Sequence, residues 1–171
     1  MAKGGYANDY VTTKLYLFLQ KQKKTENNLK KLTIPKAVVQ EMMRNDFFSQ
    51  WLGIEVLDVT EGTCKLKMTV KKDMLNGFGI AHGGIAFALA DSALAFAANS
   101  RNKKSLVLDA NISFLAPVKE HDQLYATATE VNITNRTGIY NISVTNQDDK
   151  LIAVFKGIVF RKSENWFPDE E

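Results

Sequence analysis

One segment constrains the fold more than any other. Residues 82–100 read HGGIAFALADSALAFAANS, with seven alanines, three other aliphatic residues and two phenylalanines. Its pattern is helical, and a helix that is apolar on nearly every side is buried on nearly every side. The rest of the chain must therefore supply enough surface to surround this helix.

Strand patterns on both sides of the helix supply that surface. Apolar residues from Cys64 to Val70 alternate with Lys65, Lys67 and Thr69, which is the period of a strand with one buried face. A shorter strand precedes it, and four strand-like runs follow at about 105–116, 121–134, 137–147 and 150–162. Short connections predict that the later strands are antiparallel neighbours in sequence order. The predicted class is α+β: one antiparallel sheet of about six strands wrapped round the helix at about 82–100.

The charge distribution divides the chain. Of its 171 residues, 1–36 hold eight lysines against two acidic residues, a balance of +6, while the remainder balances at −3. We predict a basic N-terminal arm over 1–36, helical or partly disordered, a single domain over 37–163 and an acidic tail over 164–171. Because the basic charge is confined to the arm, the domain is not expected to bind nucleic acid.

Several other classes of protein are excluded by what the sequence lacks. Cys64 is the single cysteine, and with His82 and His121 it does not form metal-ligand spacing, so no disulfide framework and no metal site is expected. No apolar run is long enough to span a bilayer, and no secretory signal is recognisable, which predicts a cytoplasmic protein without membrane contact. Glycine-rich nucleotide-binding motifs are also missing.

Two features of the helical segment are candidates for chemistry. Asp91 lies in the middle of the apolar run, where an ionised carboxylate must be paired, protonated or functional. The run His82-Gly83-Gly84 opens the helix, where unpaired backbone N–H groups and the helix dipole polarise a ligand carbonyl. The alternatives are a hydrogen-bonded structural aspartate and glycines that only turn the chain.

The spacing of these features has a geometric consequence. Gly83 and Asp91 are eight residues apart, which is about 12 Å along a helix. One small reacting group does not reach both on the same helix. If both serve one reaction, they most simply come from two chains of a homodimer with two equal sites.

Motifs spread along residues 38–162 resemble the hotdog-fold acyl-CoA thioesterases, most closely the phenylacetate-pathway (PaaI-type) family. They are Leu75-Asn76-Gly77, His82-Gly83-Gly84, Leu89-Ala90-Asp91-Ser92, Phe96-Ala97, Asn99-Ser100, Phe114-Leu115-Ala116-Pro117, Thr137-Gly138-Ile139-Tyr140 and Asn146-Gln147.

The resemblance implies a catalytic set for the hydrolysis of an acyl-CoA, with aryl-acetyl-CoA among the candidate substrates. Asp91 would act as general base or nucleophile, and the Gly83 amide would polarise the thioester carbonyl from the partner subunit. Asn76 and His82 would orient the thioester and the attacking water. No metal or cofactor is implied, since coenzyme A is part of the substrate and leaves as product.

A wider substrate-binding set is predicted with the same resemblance: Gly84, Ser92, Asp109, Arg136 and Thr137. The sequence departs from the family pattern at Ala116, where relatives often carry a basic residue, and at Asp109, where some carry a small hydroxyl. The implied assembly is a homodimer or a dimer of dimers. The alternative functions are a hotdog dehydratase acting on hydroxyacyl thioesters and a non-catalytic acyl-CoA-binding module.

Overall fold

A computed structural model of the chain describes residues 33–168 together with Lys14, Phe18 and Gln20. The chain divides into two compact units, residues 1–33 and 34–171. The three described residues of the first unit are helical. The other residues predicted as the arm, up to residue 32, lie outside the described residues.

The second unit combines helices and strands in the predicted order. Its helices are α1 (Ile34–Asn45), α2 (Phe47–Leu52) and α3 (Gly83–Asn99), with a 3₁₀ turn at Lys72–Met74. Its strands are β1 (Glu55–Thr60), β2 (Thr63–Thr69), β3 (Lys103–Phe114), β4 (Gln123–Ile133), β5 (Thr137–Thr145) and β6 (Leu151–Asn165). The central helix is confirmed, although it begins one residue later than predicted because His82 caps it in an extended conformation (φ −60°, ψ 136°).

The strands of residues 33–168 form one antiparallel six-stranded sheet in the order β1-β2-β4-β5-β6-β3. The prediction that the strands after the helix are neighbours in sequence order is confirmed for β4, β5 and β6 but wrong for β3 and β4. β3 pairs with β6, from Lys103 opposite Asn165 to Phe114 opposite Ala153, whereas β4 pairs with β2.

The physical reason is the connection over residues 115–122, which is a crossover rather than a tight turn. The N–H of Ala81 donates to Val118 O at 2.8 Å, and the N–H of Val70 donates to Asp122 O at 2.9 Å. The crossover is therefore fastened to the segments beside β2 and α3. The crossover leads from the edge strand β3 to β4, which pairs with β2.

Small residues allow α3 to pack closely against this sheet. Ala90, Ala93, Leu94 and Ala97 are all fully buried on α3. Opposite them, a Cβ added to Gly157 of β6 would lie 2.2 Å from Leu94 Cδ2. The helix and the sheet thus approach to a distance at which β6 has no room for a side chain at this point.

A buried asparagine closes the other end of α3. The Asn99 amide group donates to Ala95 O at 2.8 Å and Ser105 O at 3.1 Å, and its Oδ1 accepts from Ser105 N at 2.9 Å and from Trp166 Nε1 at 2.7 Å. Four hydrogen bonds satisfy this side chain, which is the condition for burying it. The strand β6 runs two residues beyond the predicted domain boundary of 163.

The structure shows no helix, within the part of the chain that it describes, long and apolar enough to cross a membrane.

We expect Gly157→Ala to lower the free energy of unfolding by about 1–3 kcal/mol, because the added methyl group overpacks the Leu94 side chain. Gly77→Ala is the matched control, since a Cβ there meets no atom within 4 Å. Chemical denaturation of both variants measures the difference. Equal stability of the two variants would contradict the close approach of α3 and β6.

Candidate active site

A short looped segment before α3 carries two of the predicted catalytic residues, Asn76 and His82, which line the same groove. Leu75 and Ala81 form an isolated antiparallel bridge, and Asn76 N donates to Ile80 O at 2.8 Å. Gly79 turns the chain in the left-handed region (φ 74°), where a side chain would be strained. The loop thereby returns the chain to the start of α3.

Local hydrogen bonds orient the two polar side chains of this loop. Asn76 Oδ1 accepts from Phe78 N at 2.9 Å, which leaves the amide NH₂ group as the free end. His82 Nδ1 accepts from Gly84 N at 3.0 Å, so the neutral ring carries its proton on Nε2. Each side chain thus uses an acceptor internally and keeps a hydrogen-bond donor available.

A third donor is the backbone N–H of Gly83. It is the first N–H of α3, and no described residue accepts a hydrogen bond from it, whereas the Gly84 N–H is already bound to His82. The position lies at the positive end of the helix dipole, which favours an oxygen that carries negative charge. The ring of Phe114 packs here, with its Cζ 3.0 Å from the point that a Gly83 Cβ would occupy.

These three groups lie on a groove of about 380 Å³ between the start of α3 and the crossover. The lining residues are Asn76, Ile80, Ala81, His82, Gly83, Ala86, Phe114, Leu115, Ala116, Pro117, Val118, Leu124 and Ile152. Sequence reasoning identified the donors but missed the apolar lining. The sequence feature that could have predicted this lining is the Phe-Leu-Ala-Pro segment at the end of β3. No local pattern indicates that Leu124 and Ile152 also line the groove.

Asp91 does not line this groove. Its side chain is half-buried on α3, and burial raises the pKa of its carboxyl group above the ordinary range. No hydrogen bond or ion pair joins the carboxylate to any residue of the described part of the chain. Within one chain, Gly83 lies at the groove and Asp91 lies about two turns further along α3. The two residues are thus separated as their spacing in the sequence predicts.

The neighbour of Asp91 has a structural partner instead. Ser92 Oγ is buried and lies 3.1 Å from Ser49 Oγ, which donates to Asp46 Oδ2 at 2.6 Å. This chain of hydroxyl groups ties α2 to α3 beside Asp91. The hydroxyl of Ser92 is engaged within the protein, and sequence reasoning had not singled out Asp46 or Ser49.

The remaining predicted substrate-binding residues lie away from the groove. Asp109 is exposed on β3 at an irregularity in its pairing with β6. The Thr137 hydroxyl lies 2.9 Å from Thr134 Oγ1 in the β4–β5 turn, and the Arg136 side chain is exposed with no partner in residues 33–168. The structure thus brings Asn76, His82, Gly83 and Gly84 together and leaves the others outside that cluster.

Arg101, a basic residue that follows the end of α3, is held by two carboxylates. Its Nε lies 2.9 Å from Glu130 Oε2 and its Nη1 lies 2.8 Å from Glu61 Oε2. The hydrogen bond to Glu130 raises the pKa of the guanidinium above its ordinary value. Arg101 therefore joins the β1–β2 turn to β4.

The described residues contain no group of three or more His, Cys, Asp or Glu side chains placed to hold a metal ion. Cys64 is buried, and burial raises the pKa of its thiol to about 12, which makes it an inert core residue.

Comparisons with known proteins identify the family of the chain. Residues 78–153 match the family described as the thioesterase superfamily. A putative esterase of Archaeoglobus fulgidus is 40% identical over 139 residues, covering 81% of this chain and 90% of that protein. The acyl-coenzyme A thioesterase PaaI of Escherichia coli is 40% identical over 116 residues, covering 68% and 83%.

A solved structure gives the same result for the fold. The PaaI protein from the phenylacetic acid degradation operon of Escherichia coli superposes with a TM-score of 0.76 at 36% identity, covering 77% of this chain and 96% of that one. The chain therefore belongs to the thioesterase superfamily, as a PaaI-like thioester hydrolase with the hotdog fold.

Proposed function

We propose that the protein hydrolyses an acyl-CoA to the free acid and coenzyme A. The observation that carries the proposal is the unpaired Gly83 N–H, set at the start of α3 beside two side chains that each keep a hydrogen-bond donor available. A thioester carbonyl needs such donors, because its oxygen becomes an oxyanion when a nucleophile adds. The similarity to the Escherichia coli acyl-coenzyme A thioesterase PaaI supports the choice of substrate.

The role of each residue in the hydrolysis follows from whether it offers a hydrogen-bond donor or a carboxylate. The carbonyl oxygen accepts from Gly83 N–H, while His82 Nε2–H and the Asn76 NH₂ group orient the thioester and the water. Asp91 takes a proton from that water as its oxygen adds to the carbonyl carbon. The C–S bond then breaks, and the departing thiolate of coenzyme A takes the proton. Direct attack by the carboxylate is the alternative use of the same residue.

A homodimer completes this site in the proposal. Since Gly83 and Asp91 are about 12 Å apart on one helix, the carboxylate comes from the partner's α3. Two surfaces support self-association. β3 is an edge strand with exposed apolar side chains at Leu106, Val107 and Leu108, and the half-exposed side of α3 carries Asp91 among small and apolar residues.

We expect Asp91→Asn to reduce the release of coenzyme A by about 10²- to 10⁴-fold, which is the usual contribution of general base catalysis. The same change should stabilise the protein at neutral pH, because it removes a charge that burial disfavours. A thiol-release assay over aryl, short and long acyl-CoAs tests activity, and thermal unfolding tests stability.

Asp149→Asn is the control for that pair of measurements, since Asp149 is exposed in the β5–β6 turn in a conformation that asparagine accepts. It should leave both activity and stability unchanged. Wild-type protein that releases no coenzyme A from any substrate would refute the proposed function, and an unimpaired Asp91→Asn variant would refute the mechanism.

The pH dependence should report the same carboxylate. Activity requires ionised Asp91, so kcat/KM should fall as pH falls through the raised pKa, at a higher pH than for an ordinary aspartate. The free energy of unfolding depends on pH in the opposite direction. Because the raised pKa means that the folded state binds the proton more tightly than the unfolded state, the contribution of Asp91 to stability decreases as pH rises from the ordinary aspartate pKa through the raised one. An acid limb at the pH of an ordinary aspartate would contradict the burial of Asp91.

The shared site is tested by mixing two inactive variants. Gly83→Pro removes the N–H at the first helical position, which tolerates proline, and Gly83→Ala is its matched control because both add a Cβ beside Phe114. A random 1:1 mixture of Asp91→Asn and Gly83→Pro chains should regain about a quarter of wild-type activity, since half the dimers are mixed and each has one intact site. No recovery after verified subunit exchange would place both residues in a site within one chain.

A further inference from the structure

The short helix α2 presents its aromatic side chains to the outside of the chain. Phe47, Phe48 and Trp51 are 74%, 56% and 49% exposed, whereas Ser49 and Leu52 are buried. The rings of Phe48 and Trp51 stack on each other with their centroids 5.9 Å apart. A surface helix ordinarily turns its apolar side inward, and an exposed apolar patch marks an interaction surface. We refer to the three rings as the α2 aromatic face.

Hydroxyl groups hold the α2 aromatic face beside the carboxylate that is proposed to be catalytic. Ser49, on the buried side of α2, has its Oγ 3.1 Å from the Oγ of Ser92, which directly follows Asp91 on α3. Because the Ser49 hydroxyl donates to Asp46 Oδ2, Ser92 is the donor in the contact between the two hydroxyls. This hydrogen bond fixes α2 at the turn of α3 that carries Asp91.

Another exposed ring lies on the loop that precedes α3. Phe78 is 91% exposed, and its ring pairs with no other ring in residues 33–168. The N–H of Phe78 donates to Asn76 Oδ1, so the hydrogen bond that orients the Asn76 side chain also holds the backbone that carries this ring. The loop then runs on to His82 and Gly83 at the start of α3.

The proposed dimer brings these two apolar surfaces toward each other. Within one chain, the contact at Ser92 lies nine residues, or about 13 Å, along α3 from Gly83. The dimer proposed above sets Asp91 of one copy opposite the partner's Gly83. That pairing moves α2, which is bound one residue beyond Asp91, toward the loop that carries the partner's Phe78.

We propose that the α2 aromatic face docks against Phe78 of a second copy of the chain, so that each copy covers the loop of the other. The proposal rests on the shared site proposed above. With about 200 Å² for a whole aromatic side chain, the four rings expose about 500 Å² in each chain. An interface of standard size buries about 800 Å² on each partner, so these rings supply more than half of it. The exposed apolar side chains of the edge strand β3 add to that area.

Docking of the rings changes the surroundings of the hydrogen-bond donors at the start of α3. His82 is exposed in a single copy, so water competes for its donor there. Rings from the partner's α2 lie over the same loop and exclude part of this water. A hydrogen bond to a developing oxyanion is stronger where water is excluded. The rings therefore act on the reaction through the donors and do not touch the reacting atoms.

Cross-linking of singly substituted chains tests the contact. A mixture of Trp51→Cys and Phe78→Cys chains, one of them tagged so that mixed dimers differ in mass, should form a covalent dimer with a short bismaleimide. Val154→Cys replaces Trp51→Cys in the matched control, since Val154 is exposed on the face of the sheet opposite α3. Cys64 does not interfere, because burial raises the pKa of its thiol to about 12. A verified dimer that cross-links no better than the control would overturn the proposal.

A double-mutant cycle measures the strength of the contact. Trp51→Ala and Phe78→Ala should each raise the dissociation constant of the dimer by about tenfold or more, because buried aromatic anchors dominate interfaces. The double variant should show less than the product of the two effects, since the two side chains share one contact. Sedimentation over a range of protein and urea concentrations measures these constants, and Val154→Ala should leave the constant unchanged. Unchanged constants, or single effects that multiply independently, would contradict the contact.

Neither measurement requires turnover, so failure of the contact and failure of the proposed function are distinguishable. A protein that hydrolyses no acyl-CoA but forms the cross-link retains the contact and refutes only the hydrolysis. An active protein without the cross-link retains the hydrolysis and refutes the contact. Flotation with vesicles of phosphatidylcholine and phosphatidylglycerol tests a lipid surface as the other occupant. Vesicle binding that Trp51→Ala removes would assign the α2 aromatic face to lipid and overturn the proposal.

Discussion

The structure depends on how closely α3 packs against its sheet. The alanines of the helix and Gly157 of β6 let the backbones approach until Leu94 fills the remaining space. Close packing of this kind fixes the helix along its axis, because a shift would drive side chains into occupied volume. The positions of the first N–H of α3 and of Asp91 are therefore set by the core rather than by the loops that surround them.

The hydrogen bonds at the two ends of α3 depend on that fixed position. At the far end, Asn99 is saturated by four hydrogen bonds and joins α3 to β3 and to Trp166. At the near end, His82 satisfies the Gly84 N–H and leaves that of Gly83 unpaired. The difference between the two ends is chemical: one is closed by the protein, whereas the other keeps a donor for an oxygen that the protein does not supply.

The parts that sequence predicted well are those determined by local periodicity. The all-apolar helix, the alternation from Cys64 to Val70 and the antiparallel β4–β5–β6 hairpins all follow from patterns within one segment. The position of β3 was missed because it depends on a crossover fastened by contacts distant in sequence, such as Ala81 with Val118. The groove floor was missed for the same reason, since Leu124 and Ile152 come from strands separated from α3 in sequence.

Asp91 shows how the site limits the stability of the fold. A half-buried carboxylate without a partner in the described residues is held in an environment that favours its protonated form. An arginine or lysine beside it would stabilise the charge and lower the pKa, but it would also weaken the carboxylate as a base. Isolation on an apolar helix keeps the group basic at the cost of folding stability. In the proposed dimer, the partner's Gly83 and its neighbours offer neutral donors rather than a cation, so the substrate is polarised while Asp91 stays basic.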